Sequence, residues 1–261
     1  MVSTIPSTFD CKKELLDPYE SYIRDTFQLN IEEWAKFRWI INCGVDHKNI
    51  SGKNASDKNV IESYIELGKC NYEVICSLGF CKVALNEYAK YTDSFSGQKA
   101  IKDFYFHTGA VLDNLSRIIF IVTIPDAASK TTKSGTRIRH KIDRGELLRD
   151  YRTQLPCNYH SHLTSNAIEE IVNVRNIVTH YWKIPQCNRR WPRSELGSNK
   201  TLAWPYSEPD YANYSDWTPI SDILEEHLNS LVEVQNNIYE FLVSDIGNFE
   251  KNNGIIIKSP I

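Results

Sequence analysis

Apolar residues in this chain recur at three- and four-residue intervals over long stretches, the period of helices with one buried face. The longest such run carries Val60, Ile61, Tyr64, Ile65, Val74, Ile75, Leu78, Cys81, Ala84, Leu85 and Tyr88. It predicts a helix from a cap at Ser56 or Asp57 to about Tyr91, weakened locally by Gly68 and Gly79. A second run, Phe104, Thr108, Val111, Leu112, Leu115, Ile118, Ile119 and Val122, predicts a helix from about Gln98 to Thr123, ended by Ile124-Pro125. A third, Ile168, Ile171, Val172, Val174, Ile177 and Val178, follows the cap oxygens of Thr164, Ser165 and Asn166. It predicts a helix over about 165–182. Thr218-Pro219 opens a last one, to about Ile246, with Ile223, Leu224, Leu228, Leu231, Val232, Ile238, Phe241 and Leu242 inward.

Shorter segments fill the rest. Asp17-Pro18 starts a short helix to Phe27, and Trp34, Phe37, Arg38 and Ile41 mark another, from Asn30 to about Cys43. Gly145 to Tyr151 is helical in pattern. Gly44 to Ser56 is polar and turn-rich and predicts a loop; so do Cys157, His160 and His162 with their polar neighbours. The tail from Lys251 to Ile261 either forms a short strand at Ile255–Ile257 or frays. The fold class is all-α: an N-terminal helical extension over 1–56, a helical domain over 57–246 and a tail over 247–261. The segment at about 183–218 interrupts that domain as a long irregular insertion rich in aromatics and arginines. Trp191, Trp204, Tyr206, Tyr211, Tyr214 and Trp217 lie in it with Arg189, Arg190 and Arg193. Such residues stack bases or pin an irregular segment over a core, and pinning is the stronger expectation.

Composition narrows the classes. A hydrophobic content of 41% supports a core. The N-terminus MVSTIPSTFD lacks the pattern of a signal peptide, and the apolar run Ile118–Ile124 is too short to span a bilayer. Seven cysteines without a small-scaffold spacing suggest reduced thiols, hence a cytoplasmic protein with no membrane partner. Cys70, Cys76 and Cys81 stand six and five apart, unlike zinc pairs, and Cys157, His160 and His162 have no second cluster to complete a site. No metal and no cofactor are expected. A net charge of −3 gives no global attraction to nucleic acid, so any contact needs a local patch. The strongest basic excess lies between Lys130 and Arg152; it is either a solvated loop and short helix or a patch in which Arg137, Arg139, Lys141 and Arg144 are the candidate RNA-backbone residues.

The third helix carries the candidate chemistry. Asn176 and His180 sit one turn apart on its polar edge, near enough for the amide to orient the imidazole. Arg175 falls inside the apolar arc, where a guanidinium that keeps its proton must find a carboxylate, reach an interface or await a phosphate. A structural ion pair, to Glu170 or to a carboxylate on another helix, is the plainer account.

The segment Arg175-Asn176-Ile177-Val178-Thr179-His180, at the end of an amphipathic helix, resembles the Arg-x4-His signature of the HEPN superfamily (higher eukaryotes and prokaryotes nucleotide-binding), in its Arg-Asn-x-x-x-His form. The resemblance extends over about 57–182 and the last long helix. The run His107 to Val122 is similar to the helix that faces the motif helix in some of those families. It makes Asp113 a candidate to hold Arg175 or orient His180, a plain surface aspartate being the equal alternative, with Glu170 and Tyr181 as further supporting positions. Trp182 stands where relatives paired with a nucleotidyltransferase antitoxin carry a tyrosine, so regulation through that tyrosine is not expected.

The resemblance implies metal-independent RNA cleavage. His180 would act as general base or acid, Arg175 would hold the scissile phosphate, and Asn176 would orient one or the other. The products would be a 2′,3′-cyclic phosphate and a 5′-hydroxyl. Arg175 and His180 lie about 140° apart around the helix axis, so one helix converges them poorly. Two copies packed across a two-fold axis would bring both pairs to one cleft, which is how HEPN ribonucleases are understood to work. The expected partners are therefore RNA, a second copy of the chain and, for a toxin or phage-defence effector, an antitoxin or regulatory protein. Some HEPN proteins keep the fold and only bind nucleotides or scaffold partners, which is the alternative.

Overall fold

The computed structural model describes residues 32–45, 50–52, 58–91, 94–125, 127, 142–180, 190–192 and 217–257. They form seven helices and four three-residue strands. In chain order these are α1 (Glu32–Val45), β1 (Ile50–Gly52), α2 (Lys58–Lys90), α3 (Ser94–Thr123), α4 (Arg144–Asp150), α5 (Cys157–Leu163), α6 (Asn166–His180), β2 (Arg190–Pro192), β3 (Trp217–Pro219), α7 (Ile220–Asn252) and β4 (Ile255–Ile257). The protein is mostly helical, as the periodicity predicts. Among the described residues no helix is long and apolar enough to cross a membrane. The expected helix at 17–27, Arg137, Arg139, Lys141 and Tyr181, and most of the 183–218 insertion, lie outside the described residues.

The chain divides into two compact units. The first holds Met1–Cys76, Val111–Leu163 and Val234–Ile261, the second Ser77–Ala110 and Thr164–Glu233.

In the first unit, α1 is tied to α2 by Trp34, whose Nε1 donates to the carbonyl of Asn71 at 2.7 Å. Phe37 packs on Tyr239 and Tyr64 meets Phe249 edge-on, with centroids 5.5 and 5.2 Å apart. Leu115, Ile118, Ile119 and Phe120 of α3 and Leu242 and Ile246 of α7 are fully buried in this core or nearly so. Each such side chain contributes about 1.5–3 kcal/mol on leaving water. β1 pairs antiparallel with β4, Ile50 opposite Ile257. The strand expected at Ile255–Ile257 is present, and its partner lies in a stretch whose polarity predicted a loop.

α5 is a second departure from expectation. Leu155, Tyr159 and Leu163 recur every four residues and are buried, and the His160 N–H donates to the carbonyl of Pro156 at 3.1 Å to open a helical turn. The polar Cys157, Asn158, His160, Ser161 and His162 occupy the remaining faces. Tyr159 hydroxyl donates to Asp245 Oδ2 at 2.7 Å, which fixes α5 on α7 within this unit.

The second unit is built on α6. Fifteen residues are marginal as an isolated helix, so its stability comes from packing. Ile168, Ile171, Val174, Ile177 and Val178 are all buried, as their spacing predicts. Leu78, Cys81 and Leu85 of α2, Phe104 and Tyr105 of α3, and Ile223, Leu224 and Leu228 of α7 complete the core. β2 pairs with β3, Trp191 opposite Thr218. Trp191 is buried and stacks on Tyr105, centroids 6.3 Å apart, so at this point the insertion is pinned to the core.

Candidate functional site

The motif residues sit on the last two turns of α6. His180 is the last helical residue, and its imidazole lies outside the described side chains. Thr179 hydroxyl donates back to the carbonyl of Arg175 at 2.8 Å, sharing an acceptor with the helix ladder. Asn176 is half-buried on the adjoining face.

Arg175 has the most unusual environment of the set. Its guanidinium lies against the backbone of α3 at Gly109: a Cβ built on that glycine would stand 2.7 Å from Cζ, 2.9 Å from Nη2 and closer still to Nε. A methyl group there would have to displace the flexible end of the Arg175 side chain. The Nε of Arg175 is buried with no hydrogen-bond partner, and neither Nη shares that condition. Among the described residues the guanidinium has no ion pair. A buried donor left unpaired costs about 1–3 kcal/mol, more on a charged group. An anion on the Nη groups would add charge-assisted hydrogen bonds there but would not satisfy the buried Nε.

Glu170 is committed elsewhere. Its Oε1 stands 3.1 Å from Nε2 of His227, and Nδ1 of His227 stands 2.8 Å from the hydroxyl of Tyr105. A carboxylate only accepts, so Nε2 carries the hydrogen; in the neutral ring Nδ1 then accepts from the Tyr105 hydroxyl. His227 is 2% exposed. The chain Tyr105–His227–Glu170 thus bonds α3, α7 and α6 together. On α3, Tyr105 and Gly109 are one turn apart, so this polar chain and the seat of Arg175 occupy one face of that helix.

Asp113 and Arg144 fall in the first unit. Asp113 Oδ1 accepts from the backbone N–H of Arg144 at 3.3 Å, and Arg144 Nε donates to the carbonyl of Leu163 at 2.9 Å. Asp143 caps α4, accepting from the Glu146 N–H at 2.8 Å. Asp113 and Arg144 therefore brace the start of α4 against α3 and the end of α5. Cys70, Cys76 and Cys81 are buried thiols; burial pushes the Cys70 thiol up to about 12, with the Glu66 charge acting in the same direction, and pushes that of Cys81 up further. Among the described residues no group of three His, Cys, Asp or Glu side chains is placed to hold a metal.

Gly109, Tyr105 and His227 were not among the residues the sequence singled out. A glycine inside a 30-residue helix is the one local signal available, since it costs about 1 kcal/mol relative to alanine unless its lack of a side chain is used. No family model, no curated protein and no solved structure matches this chain.

Proposed function

We propose that the chain is a HEPN-type, metal-independent endoribonuclease in which Arg175 binds the scissile phosphate and His180 transfers the proton. The observation that carries this reading is the Arg175 guanidinium, held against Gly109 with an unpaired Nε, on the helix that ends at His180. The ribose 2′-oxygen attacks phosphorus as its proton passes to a base, and the bond to the 5′-oxygen breaks as that oxygen takes up a proton. Histidine can serve as either base or acid in such a transfer. Arg175 offsets the charge gathering on the phosphoryl oxygens, and Asn176 orients the imidazole or the phosphate. His180 and Arg175 converge on one phosphate when two copies of α6 face each other across a two-fold axis, so the active form is a homodimer in this reading.

A non-catalytic nucleotide-binding or scaffold module is the second reading. It is favoured by one observation: Asp113 and Glu170, the acidic residues expected to support the site, both hold structural partners.

Incubating the purified chain and His180→Ala with total RNA in EDTA separates the two. The ribonuclease fragments RNA and leaves 2′,3′-cyclic phosphate ends, while His180→Ala melts normally and leaves RNA intact. Intact RNA with both proteins, at matching melting temperatures, selects the binding module.

A further inference from the structure

The α2–α3 part of the second unit exposes aromatic rings beside the seat of Arg175. Phe106 is 65% exposed and Phe80 47% exposed, an unusual state for two large apolar side chains that share a neighbour. That neighbour is His107. Its ring stacks on Phe80, centroids 4.8 Å apart and planes 27° from parallel, and meets Phe106 edge-on at 5.3 Å. Burial lowers the His107 pKa, against a smaller opposing effect of Asp103, so the imidazole is uncharged at neutral pH and the cluster presents neutral π faces. The Asp103 carboxylate is held by Lys99 at 2.5 Å, which offsets the nearest negative charge.

Phe106 precedes Gly109 by three residues on α3, which places it one turn away and about 60° around the axis from the glycine that carries the Arg175 guanidinium. The Arg175 guanidinium and an exposed aromatic ring within one helical turn match the two halves of a nucleotide, phosphate and base. We infer that Phe106, backed by the Phe80–His107 stack, is a base-stacking subsite for an unpaired nucleotide of the RNA whose phosphate Arg175 holds. The inference rests on the RNA reading of the preceding section and adds a preference to it. Stacking on an aromatic face suits single strands over duplexes, and among single strands it suits purines, whose larger rings stack more strongly.

The test uses the full chain carrying His180→Ala, so that RNA stays intact, with fluorescence anisotropy against short single-stranded oligoadenylate, oligouridylate and an RNA duplex. The expected result has three parts. Oligoadenylate binds more tightly than oligouridylate; adding Phe106→Ala weakens oligoadenylate about tenfold, the scale of one lost stack, and erases the preference; Phe106→Trp restores both. Phe80→Ala weakens binding about threefold by removing the support of His107. All variants melt within a few degrees of the parent, because Phe106 and Phe80 are exposed. If the His180→Ala chain binds single-stranded RNA and Phe106→Ala leaves that affinity within twofold, the subsite is wrong and the RNA reading stands. If the His180→Ala chain binds no RNA, both fall together. If Phe106→Ala dissociates a self-associated form in sedimentation while RNA affinity is unchanged, the aromatic face is a contact between copies and the subsite is overturned.

Discussion

Gly109 and Arg175 form a matched pair: the glycine lacks the one atom that would collide with the guanidinium, 2.7 Å from Cζ, and the arginine occupies the space left open. The dependence runs in both directions. Arg175 needs Gly109 to lie against α3, while α3 would be a better helix with alanine at that position.

That asymmetry makes the pair testable by a double-mutant cycle. Gly109→Ala alone moves the flexible end of Arg175, so its melting temperature changes little, helix propensity and displacement opposing each other. On the proposed ribonuclease reading, RNA cleavage falls at least tenfold, approaching Arg175→Ala. In the Arg175→Ala background, Gly109→Ala meets no guanidinium and stabilises by up to about 1 kcal/mol. Additive melting shifts in the four proteins would break the pairing argument. Full cleavage by Gly109→Ala would show instead that the position of Arg175 is irrelevant to the reaction.

The Tyr105–His227–Glu170 chain predicts unequal costs for removing its members. His227→Ala removes the His227 bonds of the Tyr105 hydroxyl and the Glu170 carboxylate and opens a cavity, costing about 3 kcal/mol in urea unfolding. Tyr105→Phe loses a single donor and costs about 1–2 kcal/mol. Glu170→Gln keeps an acceptor oxygen for Nε2 and costs less than either. Should Glu170→Gln prove the most damaging, Glu170 has a further role that the His227 contact does not describe.

Thiol chemistry separates surface from core. Cys157 is exposed, whereas Cys70, Cys76 and Cys81 are buried, with the thiols of Cys70 and Cys81 held in the unreactive neutral form. Iodoacetamide at mildly alkaline pH should modify Cys157 in the native protein and reach the other three only in denaturant, as peptide mass mapping would read. Native modification of Cys70 or Cys81 would contradict the packing of α2.

The helical frame was legible because it rests on repeating local patterns. Ile168, Ile171, Val174, Ile177 and Val178 share a face by spacing alone, and the same wheel places Arg175 within the apolar arc where its Nε is buried. What escaped depends on distant partners. His227 meets Tyr105 across 122 positions, and on α7 it is an isolated histidine on an apolar face, indistinguishable from any core residue. Ile50–Gly52 is a strand only because Ile255–Ile257 lies beside it. The helix Cys157–Leu163 had its signal in Leu155, Tyr159 and Leu163, but seven residues rich in histidine, asparagine and serine resemble a loop by composition. Gly109 carries in the sequence only the generic signal of a glycine within a helical pattern; that an arginine on another helix fills its place follows only from three dimensions.

Glu250 predicts how stability depends on pH. Its side chain is 5% exposed, its Oε1 lacks a partner, and burial raises its pKa from 4.5 up to about 7. The nearby Tyr64 hydroxyl, also buried and unpartnered, is pushed up by burial and by the Glu250 charge. Folding therefore takes up a proton wherever the native carboxyl is protonated and the unfolded one is not. The contribution of Glu250 is most favourable below about pH 4.5, declines as pH rises, and levels off above about 7. The total loss approaches about 3 kcal/mol, because each tenfold change in proton affinity is worth about 1.4 kcal/mol. Glu250→Gln cannot ionise, so its unfolding free energy should lack this decline. The variant should match the parent near pH 4.5 and exceed it by about 1–3 kcal/mol at pH 8. Urea titrations of both proteins across that range decide the matter. Parallel curves would mean that the native carboxylate is solvated or neutralised by a group the buried geometry does not reveal.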